Sequence, residues 1–430
     1  MSESFQQNAE VLQARWPEVF SRLLAEDRES LQAELVEGVG STLRISGIQL
    51  TSRHDRTAEA RLQAASLPPE SPMLHVYGTG LGDLQQVLLE NPELRRLQVH
   101  ILNGGLFALV LGLLDQTPWL SDPRVELSYA ADYREIQLPF FALPSELELA
   151  DEFNARIRDR LISEVHLSFN NREFDPQSPL ILQRLQDSLE LLRSDRDIAE
   201  LFGTQASQEI YVIGTGPSLE HHFEKLLAIR AQAQRPLFVS VDTAYRPLIE
   251  HGIKPDLVVS IDKGITARHL PPTDSDSIPL VYMPMSDPQV LQAWKGPRYA
   301  GYSASPIYAA LRQQIAKAQL YVGGSVLHPA VDLAVKMGAA KITLFGADFA
   351  FPMNRTHAGW NDGELGPGVD LAKHWVLDGH GQRVKTQLNF RRYLGELERY
   401  IAGHPEVRFF NSSRAGAMIA GTAYDLEFCQ

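Results

Sequence analysis

Residues 209–220 read EIYVIGTGPSLE, and this stretch decides the fold of the second half of the chain. An apolar run ends at Gly214, and a helical pattern follows the turn 214–218. Glycines let the backbone turn sharply, and Pro217 presets the φ of a first helical turn. Free N–H groups at such a turn suit a phosphate. The stretch matches neither G-x-G-x-x-G nor G-x-x-x-x-G-K-S/T, so phosphate binding and an ordinary strand–helix turn both stay open.

From residue 209 onward, apolar runs alternate with helical segments. Several runs are continuous in valine, isoleucine and leucine, which is typical of parallel strands buried on both faces. We therefore predict a doubly wound, mostly parallel-sheet, Rossmann-like α/β domain. The predicted strands cover residues 210–213, 237–241, 257–261, 280–283, 320–322, 342–345 and 407–410.

A second glycine turn lies earlier in the chain, within residues 73–92, MLHVYGTGLGDLQQVLLENP. A strand, the turn 78–82 and an apolar helix face resemble the opening of a Rossmann fold. Such folds usually place an acid after the second strand, to hold ribose, but here Asn103 stands there. We therefore predict a smaller, degenerate Rossmann-like domain whose role is mainly structural. The predicted division is residues 1–145 for the N-terminal extension and this domain, 146–205 for a helical linker and 206–430 for the catalytic domain.

Composition excludes several classes of function. The 430 residues carry a net charge of −13, which disfavours nonspecific nucleic-acid binding. The single cysteine, Cys429, excludes an intrachain disulfide and a cysteine metal cluster. No signal-like segment opens the chain, and no run approaches the roughly 20 apolar residues of a membrane helix. We expect a cytoplasmic protein without a membrane span; the sequence leaves its oligomeric state unknown.

Small, hydroxyl and acidic residues close the predicted strands of the second half. Ligands of open parallel sheets bind beyond the carboxyl ends of the strands. Asp and Asn also close strands because they form turns, yet the six endings together favour a ligand cleft. Neither a D-x-D motif nor a histidine pair at ligand spacing accompanies them, so we expect no metal. The candidate nucleotide-binding residues are Gly214, Thr215, Gly216, Pro217, Ser218, Asp242, Asp262, Gly324, Ser325, Gly346 and Asp348.

Several motifs within residues 209–421 occur in a familiar order: IGTGPSL, SVDTAY, PDLVVSID, GGSVLHPAVDLAVKMGAAKITLFGADFAF and GQRVKT. Together they resemble the motility accessory factor family, bacterial flagellin glycosyltransferases. The same domain is similar to archaeal 6-hydroxymethylpterin diphosphokinases, the MptE-like domain. More distantly it resembles bacterial sialyltransferases that use CMP-activated nonulosonic acids. The sialyltransferase pattern G-N-G-P-S-L has asparagine where this chain has Thr215, and two later asparagines fall at Asp242 and Asp262.

The resemblance implies a reaction and its partners. A nonulosonic acid of the pseudaminic or legionaminic type would pass from its CMP-sugar to serine or threonine of flagellin, without a required cofactor. In the sialyltransferases a loop histidine is the general base, and His380 falls in a comparable place, with His357 as the competitor. A histidine can deprotonate an acceptor hydroxyl, although either one can also be a solvated loop residue. Two alternatives stay open: a pterin-type diphosphokinase using Mg²⁺ and ATP, and a non-catalytic protein that binds nucleotide or flagellin.

Overall fold

The computed structural model describes residues 2–28, 30–131, 136–151, 154–170, 178–372 and 374–429. The chain divides into two compact units, Met1–Val165 and His166–Gln430. Each unit contains a parallel sheet connected by helices, which confirms the predicted Rossmann-like α/β class. The three-part division at residues 145 and 205 stays a prediction.

Unit 1 combines a small antiparallel sheet with a four-stranded parallel sheet. Its strands are β1 Ala33–Val36, β2 Thr42–Ile45, β3 Ile48–Gln49, β4 Met73–Tyr77, β5 Arg96–Ile101, β6 Val125–Tyr129 and β7 Phe140–Ala142. Its helices are α1 Glu3–Arg15, α2 Pro17–Leu24, α3 Arg56–Ala64, α4 Asp83–Leu89, α5 Gly104–Leu113, α6 Thr117–Leu120 and α7 Pro144–Glu148, followed by α8 Ala155–Asn170. The parallel sheet has the order β6-β5-β4-β7.

Asn103, which stands at the ribose-binding position of a Rossmann fold, has a structural role in this unit. Its side chain accepts a hydrogen bond from Leu106 N, 2.8 Å away, and so caps the N-terminus of α5. Helix α5 is apolar on nearly all sides and mostly buried, as expected for a helix inside a core. Where a nucleotide-binding domain usually has an acid that holds ribose, this chain therefore has a residue that caps a core helix.

Unit 2 is built on a nine-stranded sheet in which every neighbouring pair is parallel, with a separate hairpin. Its strands are β8 Arg196–Asp197, β9 Glu209–Ile213, β10 Leu237–Val241, β11 Leu257–Ser260, β12 Leu280–Tyr282, β13 Arg298–Ala300, β14 Lys341–Phe345, β15 His374–Leu377, β16 Arg383–Thr386, β17 Arg408–Asn411 and β18 Ala423–Tyr424. Its helices are α9 Pro179–Asp187, α10 Leu189–Ser194, α11 Phe223–Arg230, α12 Asp242–Glu250, α13 Pro288–Ala293, α14 Ala309–Gln314, α15 Leu327–Lys336 and α16 Leu388–Ala402.

The order of this sheet, β18-β17-β14-β9-β10-β11-β12-β13-β8, reverses beside β9. From β9 the chain proceeds outward through β10 to β13, then returns to the other side of β9 as β14. The carboxyl ends of β9 and β14 therefore flank a topological switch point, the place where open α/β sheets bind ligands. The core strands β9 and β10 are buried along almost their whole length, as their continuous apolar sequences predict.

One predicted strand, residues 320–322, is wrong. An isolated bridge joins the preceding residue, Gln319, to Tyr302, and within the segment Leu320 N donates to Tyr302 O at 2.8 Å, but no strand forms. The N–H of Tyr321 donates instead to Asp332 Oδ2 at 2.7 Å, so this N–H is not available for a hydrogen bond to a neighbouring strand. The sequence also misses β8, β13, β15, β16 and β18, which are two to four residues long. No described helix has the length and apolar character needed to cross a bilayer.

Candidate functional site

A cavity of about 330 Å³ opens at the carboxyl ends of β9, β10, β11 and β14. That volume falls in the range of small-molecule sites. Ten of the predicted residues line it: Gly214, Thr215, Gly216, Asp242, Asp262, Gly324, Ser325, Gly346, Asp348 and His357. Three others, Pro217, Ser218 and His380, are not part of its lining.

Two glycines form the back of this cleft, where β9 and β14 end side by side. Gly214 N donates to Phe345 O at 2.8 Å, and Gly216 N donates to Gly346 O at 2.8 Å. Gly346 has a φ of +57°, and a Cβ there would lie 2.5 Å from Gly214 O. A Cβ at Gly214 would lie 2.8 Å from Gly346 O. Both positions therefore require glycine for the two strand ends to approach this closely.

The turn 214–218 does not offer the row of free N–H groups that a phosphate would need. Asp348 Oδ2 accepts from Ser218 N at 2.8 Å, and Asp348 Oδ1 accepts from Ser218 Oγ at 2.6 Å. Gly214 and Gly216 already donate to carbonyls. Within the turn, which the structure describes completely, Thr215 is left as the one N–H donor without a hydrogen bond. The turn therefore shapes the wall of the cleft, and the expected anion-binding row is absent from these residues.

Asp242 is the most deeply buried acid in the cleft. Its side chain is buried at the start of α12, and Oδ1 accepts from Thr243 N at 2.7 Å. Oδ2 meets no well-aligned donor among the described residues, although the Ser260 hydroxyl and the Ile261 N–H lie near enough to favour the ionised form of the carboxyl. Burial raises the pKa of Asp242 to about 7. The hydroxyls of Thr215 and Thr243, which line the same cavity, lie 2.5 Å apart. A buried, half-paired carboxyl group indicates a position that a ligand donor completes.

His357 lies in the loop that follows β14 and faces the same cavity. Its Nδ1 is buried without a hydrogen-bond partner in the described chain, and so is the neighbouring Thr356 Oγ1. Burial lowers the pKa of His357 to about 4, so the imidazole is neutral at pH 7. The ring stands perpendicular to Phe390, with centroids 6.5 Å apart. His357 therefore presents a neutral imidazole to the cleft.

His380, the histidine that the sequence resemblance favoured as base, lies elsewhere. It is exposed in the turn of the β15–β16 hairpin, where its N–H donates to Asp378 Oδ1 at 2.8 Å. Asp262 is also exposed, at the end of β11, and its Oδ1 accepts from Gly264 N at 2.9 Å. The structure thus brings His357 and not His380 to the cavity.

Helix α16 supplies a wall that the sequence reading missed. Asn389, Phe390 and Tyr393 line the cavity, although they follow the turn 214–218 by more than 170 residues. Their spacing places them on one helix face, which is the only signal the sequence contains. Among the described residues, the lining includes three carboxyl groups and neither lysine nor arginine. In the described parts of the chain, no three His, Cys, Asp or Glu side chains are placed to hold a metal ion.

The corresponding turn of unit 1, residues 78–82, is filled from within. Glu146 Oε1 accepts from Thr79 N at 2.6 Å and from Gly80 N. Glu146 is fully buried, and burial raises its pKa to about 7. The cavity beside this turn measures about 10 Å³, which is near the volume of one water probe. The carboxyl group of Glu146 thus accepts the hydrogen bonds of the backbone N–H groups that a nucleotide phosphate would need.

Two comparisons with known proteins found a similarity. Residues 183–354 match the family described as 6-hydroxymethylpterin diphosphokinase MptE-like. No curated protein matches the chain. One similar solved structure is the MAf glycosyltransferase from Magnetospirillum magneticum AMB-1, at 17% identity and a TM-score of 0.46, covering 99% of this chain and 74% of that one. Residues 183–354 of unit 2 are therefore similar to the MptE-like domain.

Proposed function

We propose that the protein is a glycosyltransferase that moves a nonulosonic acid from a CMP-sugar to serine or threonine hydroxyls of flagellin. The observation that carries the proposal is the cleft at the switch point, in which Asp242, Thr356 and His357 each leave a buried polar atom unpaired. Buried polar atoms in folded proteins are normally satisfied, so three in one cavity favour a polar ligand there. The order of the motifs in residues 209–421 supports this choice of donor. In this proposal the enzyme acts in the cytoplasm and needs no metal or other cofactor.

The two sides of the cleft suit the two parts of a nucleotide sugar. Phe390 and Tyr393 give an aromatic wall against which a base or sugar face can pack. Asp242, at the end of the second central strand, lies where Rossmann-like domains hold ribose hydroxyls. We assign the nucleoside to the side of Asp242 and the transferred sugar to the side of Thr356 and His357.

His357 is our proposed general base, in place of His380. Its neutral imidazole can take the proton of the acceptor hydroxyl while the hydroxyl oxygen bonds to the anomeric carbon. The bond between that carbon and the CMP phosphate oxygen breaks, and CMP leaves with the electron pair. Burial alone holds the pKa of His357 at about 4. The negative charge of a bound donor raises that pKa toward the useful range near neutrality.

The charge of the cleft requires an explanation, because an anionic donor would meet acidic side chains there. Two of the three carboxyl groups, Asp242 and Asp348, are buried, and burial raises their pKa values to about 7 and about 6. A protonated Asp242 does not repel the donor and can donate a hydrogen bond to it. We therefore expect Asp242 to be protonated when the donor is bound.

A pterin-type diphosphokinase is the second candidate function, because residues 183–354 match a family described by that activity. This reaction would use ATP and Mg²⁺, and the carboxylates of the cleft would then bind the cation. It predicts release of AMP from ATP in the presence of a hydroxymethylpterin. The third possibility is a domain that binds nucleotide or flagellin without turnover.

The deciding experiment incubates the full-length protein with flagellin and either CMP-pseudaminic or CMP-legionaminic acid. We expect flagellin to gain the mass of the sugar and CMP to be released in equal amount, measured by intact-protein mass spectrometry and chromatography. His357→Ala should remove the gain, whereas His380→Ala should retain it. A parallel reaction with ATP, Mg²⁺ and hydroxymethylpterin tests the kinase. CMP binding without any gain in mass would instead indicate a non-catalytic protein.

A further inference from the structure

The segment that contains His357, residues 355–360, is fixed to the glycine turn and the helical turn that follows it. We call this segment the histidine loop. Ala358 N donates to Thr215 O at 2.8 Å. The carboxylate of Glu220 then reaches both sides of the histidine: one oxygen pairs with Arg355, and the other accepts from Gly359 N at 2.9 Å. Glu220 thus connects the residues before and after His357.

The far end of the histidine loop is fixed to α12. Trp360 Nε1 donates to Thr243 O at 2.9 Å, and the guanidinium of Arg246 lies 3.6 Å from the Trp360 ring centroid. Arg246 also donates to Gly359 O at 2.9 Å. Gly359 has a φ of +69°, and a Cβ there would lie 2.7 Å from Pro247. The loop is therefore held by the glycine turn, by Glu220 and by α12, and Glu220 is its one carboxylate anchor within the described chain.

The imidazole of His357 depends on this backbone support. No hydrogen bond from a described residue holds its Nδ1, and the ring is otherwise oriented by packing against Phe390. Its position over the cavity is then set by where residues 355 and 359 lie. Glu220 is only partly exposed, with a quarter of its side chain accessible, so its hydrogen bond to Gly359 N–H is charge-assisted and partly shielded.

We propose that Glu220 is a positioning residue that holds His357 over the cleft through the histidine loop. The catalytic part of this inference rests on the proposed function, in which His357 accepts the proton from the acceptor hydroxyl. A displacement of about 1 Å in a reacting group can cost on the order of 100-fold in rate. Glu220 contacts no part of the cavity itself, so its loss should affect the chemical step rather than nucleotide binding.

The test compares three variants with the wild-type protein. Glu220→Ala removes both anchors, and Glu220→Gln keeps an acceptor for Gly359 N–H while losing the charge. Glu224→Ala, one turn further along, removes an exposed carboxylate and serves as the control. We expect Glu220→Ala to lower kcat by roughly 10- to 100-fold while CMP affinity changes by less than about twofold. Glu220→Gln should recover most of the rate, and Glu224→Ala should match wild type.

A second readout needs no transferase activity. Imidazole NMR of histidine-labelled protein, with the His357 signal assigned through His357→Gln, follows the titration of His357 in each variant. Glu220→Ala should move its pKa from about 4 toward the ordinary value near 6.5, because the freed loop hydrates the ring. If this shift occurs in a protein that transfers no sugar, the positioning role stands and the proposed function fails. An unchanged His357 pKa in folded Glu220→Ala, or a CMP affinity that falls as far as kcat does, would overturn the positioning role.

Discussion

The two glycine turns of this chain have similar sequences and opposite surroundings. At residues 78–82 the buried carboxylate of Glu146 accepts hydrogen bonds from N–H groups of the turn, and the adjoining cavity measures about 10 Å³. At residues 214–218 the carboxylate of Asp348 binds Ser218 instead, and Thr215 faces a cavity of about 330 Å³. A glycine turn after a strand therefore does not define a ligand site. Where the chain places its own carboxylate decides whether space for a ligand remains.

The largest difference between the two turns should appear when a glycine in or against each turn is replaced by alanine, and both stability and CMP binding are measured. A Cβ at Gly346 would lie 2.5 Å from Gly214 O, at a φ of +57°. We expect Gly346→Ala to lower the free energy of unfolding by about 3 kcal/mol and to abolish CMP binding, because backbone has to move. Gly80→Ala is the matched control: its φ is +55°, and its Cβ would meet only the Leu143 side chain, at 3.1 Å.

For Gly80→Ala we expect a loss of about 1 kcal/mol, from the left-handed backbone alone, and unchanged CMP binding. Urea unfolding and calorimetric titration measure the two quantities. Equal CMP affinity in Gly346→Ala and wild type would contradict the assignment of the cleft. A loss of CMP binding in Gly80→Ala would instead assign nucleotide binding to unit 1.

The buried carboxyl of the unit 1 turn should make stability depend on pH. Burial raises the pKa of Glu146 from 4.5 to about 7, so the folded protein binds this proton more tightly than the unfolded chain does. The contribution of Glu146 therefore becomes less favourable as pH rises from about 4.5 to about 7. Glu146→Gln keeps an acceptor for the turn and removes the ionisable group.

At pH 8 we expect Glu146→Gln to be more stable than wild type by up to about 3 kcal/mol, from about 1.4 kcal/mol per pH unit of pKa shift. The difference should shrink toward zero near pH 4.5. Denaturant titrations at pH 4.5, 6 and 8 measure it. A variant that is destabilised by the same amount at all three pH values would show that the ionisation of Glu146 does not affect folding, and would contradict the raised pKa.

The unit 2 cleft should show its own pH dependence, in ligand affinity. Because Asp242 has a pKa of about 7 and the donor is anionic, the affinity should fall as pH rises through that value. We expect CMP to bind several-fold more tightly at pH 6 than at pH 8 in the wild-type protein. In Asp242→Asn this dependence should be reduced to the part that comes from CMP itself and from Asp348, whose pKa burial raises to about 6. Calorimetric titrations of both proteins at the two pH values provide the comparison, and identical dependences would remove Asp242 from the nucleotide contact.

The sequence predicts the scaffold of the cleft better than its chemistry. Continuous apolar runs identify β9, β10, β11 and β14, and the rule that ligands bind at strand ends then selects Asp242 and Gly346 correctly as cavity-lining residues. The choice between His357 and His380 depends on how two loops pack, which no local pattern encodes. The bond between Asp348 and Ser218 joins residues 130 positions apart, so the loss of a phosphate-binding row could not be read from the turn alone.

Hydrogen exchange measured with and without CMP tests the central claim, that unit 2 binds the nucleotide and the unit 1 turn does not. Mass spectrometry of peptides from the full-length protein reports on both turns in one experiment. We expect CMP to slow exchange in peptides that contain residues 214–219, 242–246 and 356–360, and to leave residues 78–84 unchanged. Slower exchange at residues 78–84 with none at 214–219 would contradict the account.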